Sequence, residues 1–576
     1  MRKLCLFLLF ALLLVSSASP AAAQAPLEPQ QLPARTAFYL IWRGSPTGEA
    51  RKSNALLGLW DDPDFAPVRT AMVEALMNDS KQQKKSVPTR EEISEYATLL
   101  DNSFTLGYLP PREKTPAKAA TASVPAAKAP VWNGMFLVYD RSGKETLLSK
   151  AVLRMRTGGT EMPKLTELTV AGVPALKIER KSGTTYWSET GKYAVSASEE
   201  SVFEEILKRL SGKGVVGSLA DSEAYREAQP LLAGGMVEFF LRVPQLKELA
   251  GDSENAPPAV KALWSAIRLD AIHVFAGHIS LDGARTRLQG AILGNTAEGS
   301  LFDIWGEGEA QPASLACLTP DTIYYHESQF SLPGIYHALK RALAQSGSNT
   351  GAMASTLENM AQTRIGMPLP DALALTTGEF GSLESSPALN PDKKVYFAGI
   401  NNKPETLKLM RTILSDRIIS ERNDGNVTYL KISLKGNQGS TGVAQWGFYH
   451  LAVTPNLLLG ATKSDTLRTT LSQASTGDPA LPKNLQAARA KFPVRLNGFS
   501  YFDFQRLDWK AVKQQSISQA TSKAKETKDV DAERMTKQIN DWFQTLNPEV
   551  FPRHLHSLTG ASWKDAAGVH FDEWVD

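Results

Sequence analysis

Three histidines near the C-terminus come nearest, by type and spacing, to a chemical site. His554-Leu555-His556 sets two imidazoles two positions apart, and His570 and Asp572 follow on the next predicted strand. Side chains two apart on a strand share a face, so His554 and His556 would point the same way, and a hairpin partner such as His570 would add a third ligand. The chemistry would be zinc-type metal binding and, with an open position, metal-assisted hydrolysis. The plainer reading is a set of half-exposed strand histidines beside a turn. His273 occupies the place of His556 in an earlier copy of the pattern, but Asp270-Ala271 stands where His554 would fall. Two-ligand spacing is a weak zinc signal, and no metal is expected.

Other constellations read more plainly still. Asp61-Asp62-Pro63-Asp64 lacks the alternating ligands and the glycine of a calcium loop. Asp62 before Pro63 is instead a helix start, a capping carboxylate followed by proline at the first helical position. Ser522-Lys523-Ala524-Lys525 has S-x-x-K spacing, in surroundings too polar to depress a lysine pKa. Lys81-Gln82-Gln83-Lys84-Lys85 is a solvated loop. There is no G-x-S-x-G elbow, P-loop, G-x-G-x-x-G after a strand, H-E-x-x-H or C-x-x-C. Catalytic residues are left unassigned, a non-catalytic protein is favoured, and no cofactor is expected.

The elements that would carry these residues repeat. Residues 191–207 read as a short buried strand entering an amphipathic helix, with Ser198 as its cap and Glu199 and Glu200 in the first turn. Residues 458–471 repeat it: Val195 falls on Leu459, Ala197 on Ala461, Phe203 on Leu467 and Leu207 on Leu471, with Thr462 replacing Ser198. Residues 318–325 repeat 32–39, and 379–383 answer the strand at Ser103. Tyr396-Phe397 answers Phe136-Leu137, Tyr501-Phe502 answers Phe239-Phe240, Trp542-Phe543 answers Leu263-Trp264, and His556 answers His273. The shared positions are apolar, so packing is what repeats.

The expected fold is therefore α+β: two tandem duplicated domains, each a mainly antiparallel sheet with packed helices. The first spans 32–310 and the second 315–576, and residues from about 28 to 310 are expected to fold alone. An Ala/Pro/Lys loop at 114–130 interrupts the first; residues 301–305 read as a strand near its end. A polar helix at about 510–540 lengthens the second, as a solvated arm.

Residues 1–23 read as an export signal, with Arg2 and Lys3, an apolar run from Leu4 to Val15, and Ala21-Ala22-Ala23 before Gln24. That run falls short of the roughly 20 residues that cross a bilayer, and no other stretch is long and apolar enough. A soluble periplasmic or extracellular protein is expected, beginning with a disordered leader at 24–31. Cys5 leaves with the signal, and Cys317 remains in an apolar setting, so no intrachain disulfide forms and the thiol should be buried. Lys and Arg total 63 against 60 Asp and Glu, which leaves no basic field for nucleic acid.

The strand opening Leu32-Pro33-Ala34-Arg35-Thr36 is echoed, with its proline shifted, by Leu318-Thr319-Pro320-Asp321-Thr322. With the strand-to-helix segments at Tyr193 and Leu458, it resembles a group of exported bacterial proteins classed as domains of unknown function. The resemblance implies neither an activity nor functional residues. The function expected is that of a binding or envelope-associated scaffold, with a ligand between the halves. Its partner would be an envelope component or an apolar ligand. The alternative is a periplasmic hydrolase, metal-assisted through His554 and His556.

Overall fold

The computed structural model describes residues 25–70, 95, 98–110, 133–150, 163–181, 183–213, 216–245, 268, 271–296, 300–345, 348–433, 449–474, 481–526 and 544–576. The expected signal (1–23), the Ala/Pro/Lys loop, Lys81–Lys85, and the Trp264 and Trp542 segments lie outside these residues. The fold is α+β with a large antiparallel sheet. The chain divides into two compact units, one of residues 1–254, 273–291 and 519–554, the other of 255–272, 292–518 and 555–576. Each unit thus takes in residues from both halves of the sequence.

The first unit holds β1 (Phe38–Trp42), β2 (Phe104–Tyr108), β3 (Met135–Asp140), β4 (Lys164–Val170), β5 (Val173–Arg180), β6 (Gly183–Thr190), β7 (Tyr193–Ala197), β8 (Val237–Arg242) and β9 (Ile272–Asp282). β10 (Arg285–Gly294) returns beside β9. The strands pair antiparallel in the order β9–β8–β1–β2–β3–β7–β6–β5–β4. Ala171 and Gly172, both at positive φ, close the β4–β5 hairpin, the geometry that suits the right-handed twist of two paired strands. Alternation sets the faces: Tyr39 and Ile41 have no exposed surface, whereas Phe38 and Leu40 are half-buried.

Helix α1 (Ala55–Asp61) is followed by a 3-10 turn, Pro63–Phe65, that begins as expected: Asp62 caps it, accepting from the Asp64 backbone N–H at 2.8 Å. Helix α2 (Glu200–Leu210) buries Val202, Phe203, Ile206 and Leu207, each contributing about 1.5–3 kcal/mol. Its expected cap does something else. The Ser198 hydroxyl accepts from Gly134 N–H at 2.8 Å, and Glu199 holds the cap position without a side-chain bond.

The expected leader is also packed. Leu27 is fully buried and bonds through both backbone groups to the Thr105 hydroxyl, at 3.3 and 3.0 Å, while Glu28 pairs with Arg43 at 2.6 Å. A short Pro/Gln-rich segment is held by partners far along the chain, which its own composition does not reveal.

The second unit holds β11 (Tyr324–Gln329), β12 (Thr376–Glu384), β13 (Lys394–Ile400), β14 (Ile418–Asp424), β15 (Val427–Ile432), β16 (His450–Val453), β17 (Leu457–Ala461), β18 (Gly498–Asp503), β19 (Ser557–Lys564) and β20 (Gly568–Val575). From β19 inward the order is β19–β18–β11–β12–β13–β17–β16–β15–β14, all antiparallel. This is the order of the first unit, strand for strand. The registers correspond as well: Tyr39 faces Gly107 and Phe240, as Tyr325 faces Leu383 and Tyr501. They set Tyr501 against Phe240 and Val395 against Phe136, each one residue from the alignment read in the sequence. Aromatic doublets leave that slip open, and a one-residue slip exchanges the faces of a strand.

Helices α3 (Leu332–Gln345), α4 (Ser464–Ala474), α5 (Lys483–Arg489) and α6 (Trp509–Glu526) belong to this unit through Ser518. Leu467 and Leu471 of α4 and Leu485 of α5 join Leu459, Phe397, Tyr325 and Tyr501 in one core. The expected strand at 301–305 is a 3-10 turn, Leu301–Ile304. The polar helix is present through Glu526, with Val512 buried and Trp509 stacked on Phe504 at 6.0 Å. Cys317 is buried, 1% exposed.

Candidate functional site

The three histidines do not assemble as a metal site. The chain is helical through His554, in Val550–His554, and β19 begins only at Ser557, so the strand geometry that aligned His554 with His556 is absent. His554 lies in the first unit, with Nε2 2.9 Å from Asp62 Oδ2. Arg553 reaches Asp64 at 2.5 Å and Asp62 at 3.4 Å, and Phe551 meets Phe65 edge to face. Burial works against the charged form of Asp62, but the hydrogen bonds from His554 and the Asp64 N–H, with Arg553 nearby, hold its carboxyl below the usual range. The Asp61–Asp64 carboxylates therefore serve a cap and ion pairs. His556 is exposed. His570, on β20, stacks on Trp563 with ring centroids 5.4 Å apart, and its Nε2 lies 2.9 Å from Asp565. Among the described residues, no three His, Cys, Asp or Glu side chains gather in a metal-binding arrangement.

A buried polar network occupies the core face of β11 and β12. Arg489 pairs with Glu327 at 2.5 Å, the Tyr325 hydroxyl donates to Glu327, and Ser314 and Tyr325 share a 2.7 Å bond. Glu379 accepts from the backbone N–H groups of Ala313 and Ser314 at 3.1 and 2.9 Å. Tyr325, Glu327 and Glu379 are at most 1% exposed. Burial raises the Glu327 carboxyl, opposed chiefly by Arg489, and raises the Cys317 thiol to about 12, helped by Glu379. That thiol is protonated and shielded, a poor nucleophile. The network pins the 313–317 turn to the sheet and is closed to ligands.

The open site is a cleft of about 530 Å³ in the second unit, lined by Asp303, Trp305, Glu307, His337, Arg341 and Lys564 among others. Four elements build it. The Leu301–Ile304 turn anchors on buried Phe302, whose ring lies 6.3 Å from Trp305. The next segment is fixed by Gly306, whose carbonyl accepts from the Asn497 amide. The α3 entry is set by Ser331, which donates its N–H to Ile304 at 2.9 Å and accepts from Gly334 N–H at 3.0 Å. Lys564 comes from the end of β19.

The charges in the cleft are mixed. Lys564 has a mostly buried side chain, 16% exposed, and faces Glu307 at 3.7 Å, a partner that is itself 89% exposed. A pair so long and so wet contributes at most about 1 kcal/mol, so a ligand anion can replace Glu307 at little cost. Arg341 adds a fork of donors suited to carboxylate or phosphate, Asp303 and Glu307 accept from a cation, and Trp305 gives an aromatic wall. His337 and Arg341 stand four apart, on one helix face. That spacing was the sequence signal available for this site. Trp305 and Lys564 carried none, being joined only by the fold.

Comparison with protein-family models, with curated proteins and with solved structures finds no match.

Proposed function

We propose that the protein is an exported, non-catalytic binding protein built of two duplicated α+β domains, with the cleft of the second unit as its ligand site. The duplication is supported by the shared strand order and registers together with the sequence echoes. Export is supported by the Arg2/Lys3, Leu4–Val15 and Ala21–Ala23 pattern.

The observation that carries the binding reading is the cleft's chemistry: both signs of charge against a tryptophan, in a space of about 530 Å³. This suits a small zwitterion, such as an amino acid or a peptide terminus. Its carboxylate would meet Arg341 and Lys564, its ammonium Asp303 and Glu307, and its apolar part Trp305. Polar groups that fix orientation on an apolar wall are the usual plan of a small-molecule site.

Isothermal titration of the purified protein with the twenty amino acids and a set of dipeptides tests the reading. At least one should bind, and Lys564→Ala should weaken it about tenfold, the loss of one charge-assisted hydrogen bond. Absence of binding across the panel would overturn the ligand class. N-terminal sequencing of the protein from its native host tests export separately: an intact Met1 would rule out cleavage after Ala23.

A further inference from the structure

The outer face of the second unit's central strands is built of different chemistry from the same face of the first. In the first unit, cross-strand neighbours on β1, β2 and β3 form the rows Phe38–Tyr108–Met135 and Leu40–Leu106–Leu137. At the corresponding places the second unit has Tyr324–Glu384–Lys394 and His326–Ser382–Tyr396. Directly paired residues of an antiparallel sheet project to one side, so each row is a line of side chains on a single face. A sheet face of apolar and aromatic residues in one unit is polar and ionisable in the other. Packing alone does not call for that change, because the first unit keeps the same sheet without it.

Glu384 and Lys394 stand opposite each other in register, and their attraction acts without a direct hydrogen bond. Glu384 is 5% exposed, and its Oε1 is buried without a hydrogen-bond partner. Lys394 lies with its ammonium 5.3 Å from the Tyr324 ring centre and 5.1 Å from that of Tyr396. Buried polar atoms are nearly always satisfied, so a carboxylate oxygen without a protein partner beside an ammonium held between two rings offers an acceptor and a donor to one ligand. Burial raises the Glu384 carboxyl to about 7 against the pull of Lys394, and holds the Lys394 ammonium below its usual value. The same sheet face opens toward solvent at Tyr396 of the neighbouring row, which is 40% exposed.

We infer that the Tyr324–Glu384–Lys394 row with Tyr396 is a second binding site, which takes a neutral planar group carrying a hydrogen-bond donor beside an acceptor, a carboxamide being the simplest. Its N–H donates to Glu384, its carbonyl accepts from Lys394, and its plane lies against the tyrosine rings. At pH 8, where Glu384 is ionised, a lone carboxylate would be repelled by Glu384 and a lone cation by Lys394. The site is separate from the cleft and does not depend on the ligand proposed there.

Benzamide is the probe, with benzoate and benzylamine as controls carrying only one half of the complement. In saturation-transfer NMR, benzamide should bind the full-length protein and the controls should not. Glu384→Leu and Lys394→Met should each weaken benzamide binding about tenfold, the loss of roughly one hydrogen bond. Lys394→Met installs the residue the first unit carries at this place, Met135, and circular dichroism verifies folding. A readout that needs no variant is hydrogen exchange of residues 382–396, which benzamide should slow in the unmodified protein. Absence of benzamide binding, equal binding of the controls, or binding unchanged in both folded variants would overturn the inference. So would a crystal grown with benzamide that shows only an ordered water between Glu384 and Lys394.

Discussion

His554 and Asp62 are 492 positions apart in the sequence and 2.9 Å apart in the first unit. Asp62 caps its own turn through Oδ1 and holds His554 through Oδ2, so one carboxylate fixes both the local fold and a contact with the end of the chain.

Replacing that carboxylate should therefore cost more than an exposed cap. Asp62→Ala is expected to lose about 1–3 kcal/mol, the range for stranding a partly buried partner and losing a cap together. Urea unfolding measures it. The Asp62 carboxyl sits below its ordinary value in the folded protein, so its contribution is present above the unfolded-state pKa and is lost as pH falls through the folded one. The acid limb of the stability curve should be flatter in Asp62→Asn than in the parent.

Gly58 offers a test with opposing signs. In an ordinary helix Gly→Ala stabilises by about 1 kcal/mol. A Cβ at Gly58 would lie 2.8 Å from His554 Nδ1, and overpacking of that kind costs about 1–3 kcal/mol. Gly58→Ala should thus destabilise, and in a His554→Ala background the same change should stabilise. Four melting curves complete this double-mutant cycle.

The Arg489–Glu327 pair should behave as a buried ion pair. Arg489→Met strands Glu327 and is expected to cost about 3–5 kcal/mol. Adding Glu327→Leu should recover most of it, because two apolar residues need no partner. Chemical denaturation followed by near-ultraviolet circular dichroism tests the recovery.

Glu384 predicts a loss of stability as pH rises from its ordinary 4.5 to its folded value of about 7. Its folded carboxyl is raised to about 7 from an ordinary 4.5 by burial, with Lys394 opposing. A raised acid stabilises the fold fully below its unfolded pKa, and that contribution is lost as pH rises through the folded value. The parent should melt lower at pH 8 than at pH 6, and Glu384→Gln should remove much of the difference.

Much of the fold was legible where the cause is local. The strand-to-helix segment at 191–207 and its echo at 458–471 were marked by their apolar spacing, the Asp62-Pro63 pair marked its helix start, and apolar neighbours marked Cys317 as buried. Errors arose where the cause is distant. Residues 25–31 look disordered until Thr105 and Arg43 are beside them. His554 looks like a strand residue because its helix is fixed by packing on the 55–65 segment. The cleft drew on residues from three separated stretches, of which only the His337/Arg341 spacing was visible, and the Glu384–Lys394 row exists only once the β12–β13 register is known.

The Val550–His554 helix belongs to a unit whose first strand starts at Phe38. The order of synthesis is thereby uncoupled from the order of completion. A ribosome must release nearly the whole chain before the earliest-made sheet receives its last helix, so that sheet finishes late.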